Sequence, residues 1–143
     1  MKTTAMGMIL ELTPVQKHYI DNLMERYCFA VRWSFKRLLD GWKTQAIRIA
    51  VQGKYNLNSR QANDAVYDAQ STIKSQHELV KLHYENAKAK AEFTKKRIAK
   101  AKSPTRITNL QRRLDKEQRK LTLWQKHIEN NTFPPVVFGG KKL

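Results

Sequence analysis

Lysine and arginine are the residues of this sequence with the clearest chemical role, because they outnumber the carboxylates by 28 to 12 and give a net charge of +16. Residues 88–126 hold 14 of the basic residues and three of the acidic ones, a net charge of +11, whereas residues 1–87 have a net charge of only +4. A positive field of this density attracts polyphosphate through counterion release and long-range steering. The charge therefore predicts a nucleic-acid partner, although a Lys-rich helix that only keeps itself in solution has a similar composition.

Residues that could support catalysis or bind a metal ion are scattered along the chain. Asp64 and Asp68 stand one helical turn apart, but Arg60 precedes Asp64 by four residues, which favours a surface ion pair. Cys28 and the four histidines lack the spacing of a zinc site or of a nucleophile and its base. The sequence contains no Gly-rich phosphate loop, no Gly-x-Ser-x-Gly and no His-Glu-x-x-His motif. We therefore expect no catalytic residue, no metal ligand and no cofactor in this chain.

Helices must position the charges, since apolar residues recur at steps of three and four through most of the chain. Thr13 and Pro14 predict the start of a first helix, with Thr as the N-cap and Pro at the first helical position. Its buried stripe is predicted to contain Ile20, Met24, Tyr27, Val31, Ser34, Leu38 and Trp42. Phe29 and Trp33 lie off that stripe beside three basic residues, where they could pack on another helix or contact a ligand.

Three more helices follow from the same periodicity. A short helix is predicted over residues 44–52, ending at Gly53, and a long one over residues 60–102, capped by Asn58 or Ser59. Ser103 and Pro104 interrupt the pattern, because proline disfavours helical geometry in the residue before it. A last helix follows, whose heptad stripe is interrupted only at Glu117. The stripe consists of Ile107, Leu110, Leu114, Leu121, Trp124 and Ile128.

The long helix and the last helix are expected to fold back on each other as an antiparallel hairpin that turns at residues 103–104. In that register, large residues of the last helix face smaller ones of the long helix. The predicted pairs are Thr94 with Leu114, Ala87 with Leu121, and Val80 with Ile128.

The two ends of the sequence have the composition of short β-strands, at residues 6–12 and 136–138. The second strand begins too close to the end of the sequence to form a stable sheet, except by pairing with the first. We therefore expect the sequence to be part of a longer protein. Its single cysteine and the lack of an apolar run of about 18 residues favour a chain that stays in the reducing cytoplasm and does not enter a membrane.

The order of these segments resembles the N-terminal part of the TnpB-type (OrfB) proteins, the transposon-encoded, RNA-guided DNA endonucleases related to type V CRISPR effectors. The most specific motifs are the Asn-x-Arg-x-x-Asn turn and helix start, at Asn58, Arg60 and Asn63, and the Phe-Gly-x-Lys-Lys-Leu ending at residues 138–143. The segments Leu-Thr-Pro-Val-Gln at 12–16 and Tyr-Cys-Phe-Ala-Val-Arg-Trp at 27–33 also fit. The resemblance covers nearly all of this sequence but only the front portion of the family's chain.

The resemblance implies a mostly α fold, in which a long antiparallel helical hairpin and a helical bundle are inserted between two short β-strands of an incomplete wedge-like β-barrel. Residues 1–12 would hold the first wedge strand, residues 13–132 the helical recognition lobe with its basic hairpin at 60–131, and residues 133–143 the truncated return to the wedge domain. The sequence would then be a fragment, a natural truncation or one half of a split protein.

The resemblance also implies partners: a guide RNA, a target DNA and, for a split protein, a second polypeptide with the remaining wedge and RuvC domains. Magnesium is expected only in that RuvC domain, so this chain would bind nucleic acid without cleaving it, in the prokaryotic cytoplasm near the nucleoid. In this family base pairing with the guide selects the target, so protein contacts fall mainly on phosphates. The expected nucleic-acid-binding residues are Arg32, Lys36, Arg37, Lys43, Arg48, Arg60, Lys74, Lys95, Lys96, Arg97, Arg112, Arg113, Arg119, Lys120, Lys141 and Lys142.

Two other functions fit the same residues. A stand-alone basic coiled-coil protein, such as a transposon regulator, would bind DNA or RNA without a guide and dimerise through the heptad stripe. A helical adaptor would use Ile107, Leu110, Leu114 and Leu121 to bind another protein and would have little affinity for nucleic acid at physiological salt.

Overall fold

The computed structural model describes residues 11–139, and within them the chain forms four α-helices. They are α1 (Pro14–Leu39), α2 (Thr44–Tyr55), α3 (Ser59–Lys100) and α4 (Pro104–Glu129). The chain divides into two compact units, one ending at Gln70 and the other beginning at Ser71, so that α3 contributes to both. No helix in the described part of the chain is long and apolar enough to cross a membrane.

Capping boxes define the beginnings of α1 and α3. The Thr13 hydroxyl accepts a hydrogen bond from the Gln16 backbone N–H at 3.3 Å, and the Gln16 side chain accepts one from the Thr13 N–H at 3.0 Å. Asn58 and Gln61 exchange the same pair of bonds at 2.8 and 3.0 Å. Each box satisfies two of the backbone donors that a helix start leaves unpaired. The predicted Thr13 cap is confirmed, and Asn58 rather than Ser59 caps the long helix.

The end of α2 differs from the prediction that Gly53 stops it. The helix continues to Tyr55 and ends at Asn56, whose φ of 49° lies in the left-handed region. Leu57 donates its N–H to the Gln52 carbonyl and is itself buried. Glycine costs a helix interior only about 1 kcal/mol relative to alanine. Burial of Leu57 and the left-handed Asn56 therefore decide where this helix ends.

The core of the first unit joins α1, α2 and the beginning of α3. Its buried members are Ala30, Ile47, Val51, Leu57, Ala62, Ala65 and Val66. The predicted stripe of α1 is confirmed at Tyr27, Val31 and Leu38, which pack against this core. Met24 is instead 55% exposed, and Trp42 lies beyond the end of α1 and is 45% exposed. The stripe extrapolated through Trp42 is wrong there because the helix stops three residues earlier, at Leu39.

The second unit contains the helical hairpin, in which α4 runs back along α3. His83 of α3 stacks on Trp124 of α4 with ring centroids 4.8 Å apart. That contact falls between two predicted pairs, Ala87 with Leu121 and Val80 with Ile128, so it has the predicted register. Beyond α4, Phe133 meets His77 of α3 edge to face at 4.9 Å. The buried positions of the hairpin are Val80, Ala91, Thr94 and Leu110.

The mostly helical class is confirmed, but the strands of a wedge-like β-barrel are not found. Residues 11–12 and 133–139 are irregular, and residues 11–139 contain no β-strand. Pro134 and Pro135 lack the backbone N–H that a sheet needs, and Val137 is 91% exposed. The rest of the predicted strand at 6–12 and residues 140–143 lie outside the described residues.

Candidate nucleic-acid interface

The second unit's part of α3 carries two columns of side chains that each repeat every seven residues. One column contains Lys74, Lys81, Lys88 and Lys95, with Glu78, Glu85 and Glu92 each three residues before a lysine. The other contains His83, Lys90 and Arg97 and has no carboxylate. Because an α-helix turns about 100° per residue, columns two residues apart lie on opposite sides of it.

The lysine and glutamate column contains an ion pair. Glu92 and Lys95 approach to 3.5 Å at the spacing where helical side chains meet, and both side chains are about half exposed. Solvated pairs of this kind contribute little stability. The three glutamates nevertheless cancel most of the charge of the four lysines along this side of α3.

The helix α4 also has a basic column on one side and an uncharged column on the other. Arg106, Arg113, Lys120 and His127 recur every seven residues, and Gln111, Gln118 and Gln125 recur two residues before three of them. The glutamine column therefore lies on the opposite side of α4 from the basic column. Arg112, Arg119 and Lys126 follow the outer edge of this helix.

Contacts across the hairpin bring the two carboxylate-free columns together. The Glu117 carboxylate, between the helices, accepts a hydrogen bond from Arg113 Nε at 2.8 Å and lies within electrostatic range of Lys90. Trp124 contacts His83 of one column at 4.8 Å and His127 of the other at 6.0 Å. Both columns therefore border the same side of the seam between α3 and α4. We call this side the cationic face: Lys90, Arg97, Arg106, Arg113 and Lys120, with His83 and His127.

The side of the hairpin opposite the cationic face has a mixed character. It carries the lysines and glutamates of the first α3 column and the glutamine column of α4, with Asp115 beside it. We call it the mixed face. The two faces differ in net charge although they belong to the same pair of helices.

Glu117 occupies the position where the predicted heptad stripe was interrupted, and it is a member of the seam. Its side chain is only 12% exposed. Burial by itself raises the pKa of the Glu117 carboxyl, but the Arg113 hydrogen bond, the Thr94 hydroxyl and the charges of Arg113 and Lys90 outweigh it and hold the pKa below its usual value. The Oε2 atom of Glu117 is buried without a hydrogen-bond partner among the described residues. This carboxylate therefore stays ionised at neutral pH and orients Arg113.

The expected binding residues of the second unit fall on different sides of the hairpin. Arg97, Arg113 and Lys120 belong to the cationic face. Lys96 lies on the outer edge of α3, and Arg112 and Arg119 lie on that of α4. Lys74 and Lys95 belong to the mixed face, where Lys95 is paired. Lys141 and Lys142 lie outside the described residues.

The expected binding residues of the first unit do not form one column. Arg37 pairs with Asp40 at 3.0 Å and lies against two indole rings. Arg48 donates from Nη1 to the Gln45 side chain at 3.4 Å, and its buried Nε has no hydrogen-bond partner among the described residues. The others differ in exposure: Arg32 is half-buried, whereas Lys36, Lys43 and Arg60 are exposed.

Several charged residues acquire a role that the sequence analysis missed. Lys90 and Arg106 belong to the cationic face, and their seven-residue spacing from Arg97 and Arg113 was the signal that could have found them. Arg26 of α1 donates from Nη1 to the carbonyls of Asn56 at 2.6 Å and Tyr55 at 3.3 Å. It thereby stabilises the C-terminus of α2, where carbonyls lack helical partners.

The carboxylate pair that could have shared a metal ion has a structural partner instead. The Tyr27 hydroxyl donates to Asp68 Oδ2 at 2.6 Å. Burial and the neighbouring Asp68 raise the pKa of Tyr27, so the hydroxyl keeps its proton. Among residues 11–139, no three or more His, Cys, Asp or Glu side chains are grouped so that they could hold a metal ion.

No known family, no curated protein and no solved structure shows a detectable match to this chain. The functional argument therefore rests on the charges and contacts described above.

Proposed function

We propose that this chain binds nucleic acid through the cationic face of its hairpin, with the sugar-phosphate backbone as the main ligand. The observation that supports this most directly is the segregation of charge. Arg and Lys recur on one side with a single buried carboxylate beneath them, while the lysines of the opposite side have glutamate neighbours. Solubility alone requires no such segregation, since paired or evenly spread charges keep a helix in solution equally well.

The spacing of the cationic face suits a regular polyanion. Side chains seven residues apart, such as Lys90 and Arg97, are separated by about 10 Å along the helix axis. Successive phosphates of one strand advance by about 3.4 Å along a duplex. Neighbouring members of a column therefore meet phosphates about three steps apart, and backbone contacts of this kind position a protein without selecting a sequence.

The resemblance to TnpB-type proteins favours a guide RNA and its target DNA as the nucleic acids, within the nucleoid-associated cytoplasm. This part of the proposal depends on the helical segments, because the strands implied by the resemblance are not found in residues 11–139. It assigns binding and positioning to this chain and cleavage to a separate RuvC domain.

An adaptor function has less support because its binding surface is already used. Leu110 is buried, and Ile107, Leu114 and Leu121 are half-buried along the seam that Trp124 and His83 also share. A partner helix would have to displace α3 from this stripe. Because α3 covers this stripe, a dimer could not form through the heptad stripe either.

The test compares two triple variants that remove the same number of positive charges. One carries Lys90→Gln, Arg106→Gln and Lys120→Gln on the cationic face, and the other carries Lys81→Gln, Lys88→Gln and Lys95→Gln on the mixed face. Binding to structured RNA, duplex DNA and an RNA–DNA hybrid is measured across a salt series. We expect the first triple to weaken binding about tenfold or more and to lower the slope of log K against log salt by about 2 to 3, since each lost phosphate contact accounts for roughly 0.9.

The mixed-face triple should change affinity by less than about threefold, because each of its lysines follows a glutamate by three residues and the net positive charge on this side is small. Equal losses from both triples would mean that net charge alone attracts the ligand and would refute the cationic face. Preference for structured RNA or the hybrid supports the guided function, whereas equal binding to all three ligands supports an unguided nucleic-acid-binding protein. If the unaltered chain binds none of them, the proposal is wrong.

A further inference from the structure

A second group of aromatic and basic side chains lies in the first unit, apart from the hairpin residues. Trp33 of α1 and Trp42, which follows α1, meet edge to face with ring centroids 5.8 Å apart. The guanidinium carbon of Arg37 lies 5.5 Å from each of these two centroids. The Lys54 ammonium lies 5.6 Å from the Trp33 ring. We call these four residues the aromatic cluster.

Backbone hydrogen bonds hold Trp42 in place. Gly41 donates to the Leu38 carbonyl at 3.1 Å, and Trp42 donates to the Arg37 carbonyl at 3.0 Å, the two bonds of a Schellman motif. The motif requires a left-handed residue, which Gly41 supplies with a φ of 81°. Lys43, the next residue, is already the N-cap of α2. Trp42 is thus presented by a fixed turn between two helices, which reduces the entropy lost when a ligand binds.

The two tryptophans of the cluster have different surroundings. Trp33 packs against the core of the first unit, which explains its presence without a ligand. Trp42 is not among the residues packed against that core and is 45% exposed. A Schellman motif needs only an apolar contact at this position, which a leucine would supply. The half-exposed indole is therefore larger than the turn requires.

The charge around Trp42 favours an anionic ligand. Asp40 pairs with Arg37 at 3.0 Å, while Lys36 and Lys43 are exposed on either side of the turn and Lys54 joins the cluster. Proteins bind single-stranded nucleic acids through exposed aromatic rings with cations beside them, because bases stack on the ring and phosphates contact the cations. We infer that Trp42 stacks against an unpaired base of a single-stranded RNA or DNA, with neighbouring lysines contacting its phosphates. This site differs from the proposed function in its unit and in its ligand, an unpaired base rather than a duplex backbone.

The test uses the full chain and three short strands of equal length: oligouridine, oligodeoxyuridine and an abasic strand that keeps the phosphates but lacks the bases. Trp42→Leu keeps the apolar contact of the turn and removes the ring. We expect it to weaken binding to a base-bearing strand by about fivefold to a hundredfold, the usual effect of losing one stacked base. Binding to the abasic strand should not change. The difference between the oligouridine and oligodeoxyuridine strands, which carry the same base, identifies whether RNA or DNA is preferred.

Tyr19→Leu is the matched control, since it removes an exposed aromatic residue of α1 that does not belong to the aromatic cluster. It should leave the affinity for all three strands unchanged. Trp42→Phe, which keeps a smaller ring, should weaken binding to an intermediate degree and replaces the leucine variant if thermal melting shows that variant to be unfolded. Unchanged binding of base-bearing strands by the Trp42 variants, or an equal loss on the abasic strand, would overturn the inference.

Duplex binding measured on the same variants separates this inference from the proposed function. The Trp42 variants should bind duplex as the unaltered chain does, and the cationic-face triple should keep its preference for base-bearing over abasic strands. If duplex binding is absent but Trp42→Leu still weakens single-strand binding, the proposed function fails and the base-stacking site stands. The reverse result refutes the base-stacking site alone.

Discussion

The cationic face of the hairpin and the aromatic cluster of the first unit both present positive charge, but they organise it differently. The cationic face repeats similar side chains every seven residues along two helices, so its members are interchangeable. The aromatic cluster holds Arg37 and Lys54 against rings at about 5.5 Å, so each member has one position. Binding by the first should decline gradually with each charge removed, whereas binding by the second should depend on one ring.

The largest expected effect comes from the packing beneath the cationic face. Leu110→Ala removes a side chain that is only 7% exposed, and we expect it to lower the free energy of unfolding by about 2 to 4 kcal/mol. Leu123→Ala on the same helix is the control, because Leu123 is 51% exposed and should cost less than about 0.5 kcal/mol. Urea denaturation followed by circular dichroism measures both. Similar values for the two variants would contradict the hairpin packing described here.

An intermediate effect is expected at the turn that holds the aromatic cluster. Gly41→Ala places a β-carbon on a residue with a φ of 81°, and although no neighbouring atom lies within 4 Å, the backbone strain should cost about 1 kcal/mol. Gly53→Ala lies inside α2 with equal space around it and should stabilise the protein by about 0.5 to 1 kcal/mol. Thermal melting should therefore shift in opposite directions. A shift in the same direction would show that the turn at Gly41 is not under this constraint.

The smallest expected effect concerns the carboxylate beneath the cationic face. Because the folded-state pKa of Glu117 is lowered, its contribution to stability is fully present above the ordinary value of 4.5 and is lost as the pH falls through the lower folded-state value. Chemical denaturation between pH 7 and pH 3 should show less acid destabilisation in Glu117→Gln than in the unaltered chain. Parallel pH profiles for the two proteins would mean that the Arg113 and Glu117 pair does not contribute.

Local signals predicted most of the helical architecture. The caps at Thr13 and Asn58 and the break at Ser103 and Pro104 depend on residues within a few positions, and the structure agrees with them. The register of the hairpin was also predicted correctly, by aligning the stripe of the long helix with the heptad stripe of the last helix about the turn at residues 103–104. The strand at 136–138 could not be judged in the same way, because a strand exists only when a partner supplies its hydrogen bonds.

The candidate sites were predicted in part. The concentration of charge in residues 88–126 was visible, but the selection of individual residues mixed the two faces of the hairpin, with Lys95 on one and Arg97 on the other. The aromatic cluster was suspected only at Trp33, since the contact with Trp42 depends on how the chain turns at Gly41. The sequence analysis treated Glu117 as an interruption of the apolar stripe. A partly buried carboxylate is stable only when cationic or hydrogen-bonding side chains lie next to it, and the sequence does not show that Thr94 and Lys90 of α3 do so.

The sequence by itself determined the helices, their caps, the turn of the hairpin and the excess of positive charge, because these depend on composition and on spacing along one chain. Only the tertiary structure decided which charges share a side and which rings meet. Those outcomes depend on contacts between residues far apart in sequence, such as Glu117 with Lys90, and on how the chain turns at Gly41, which brings Trp33 and Trp42 together. Packing of the helices fixes such contacts, and no local periodicity encodes them.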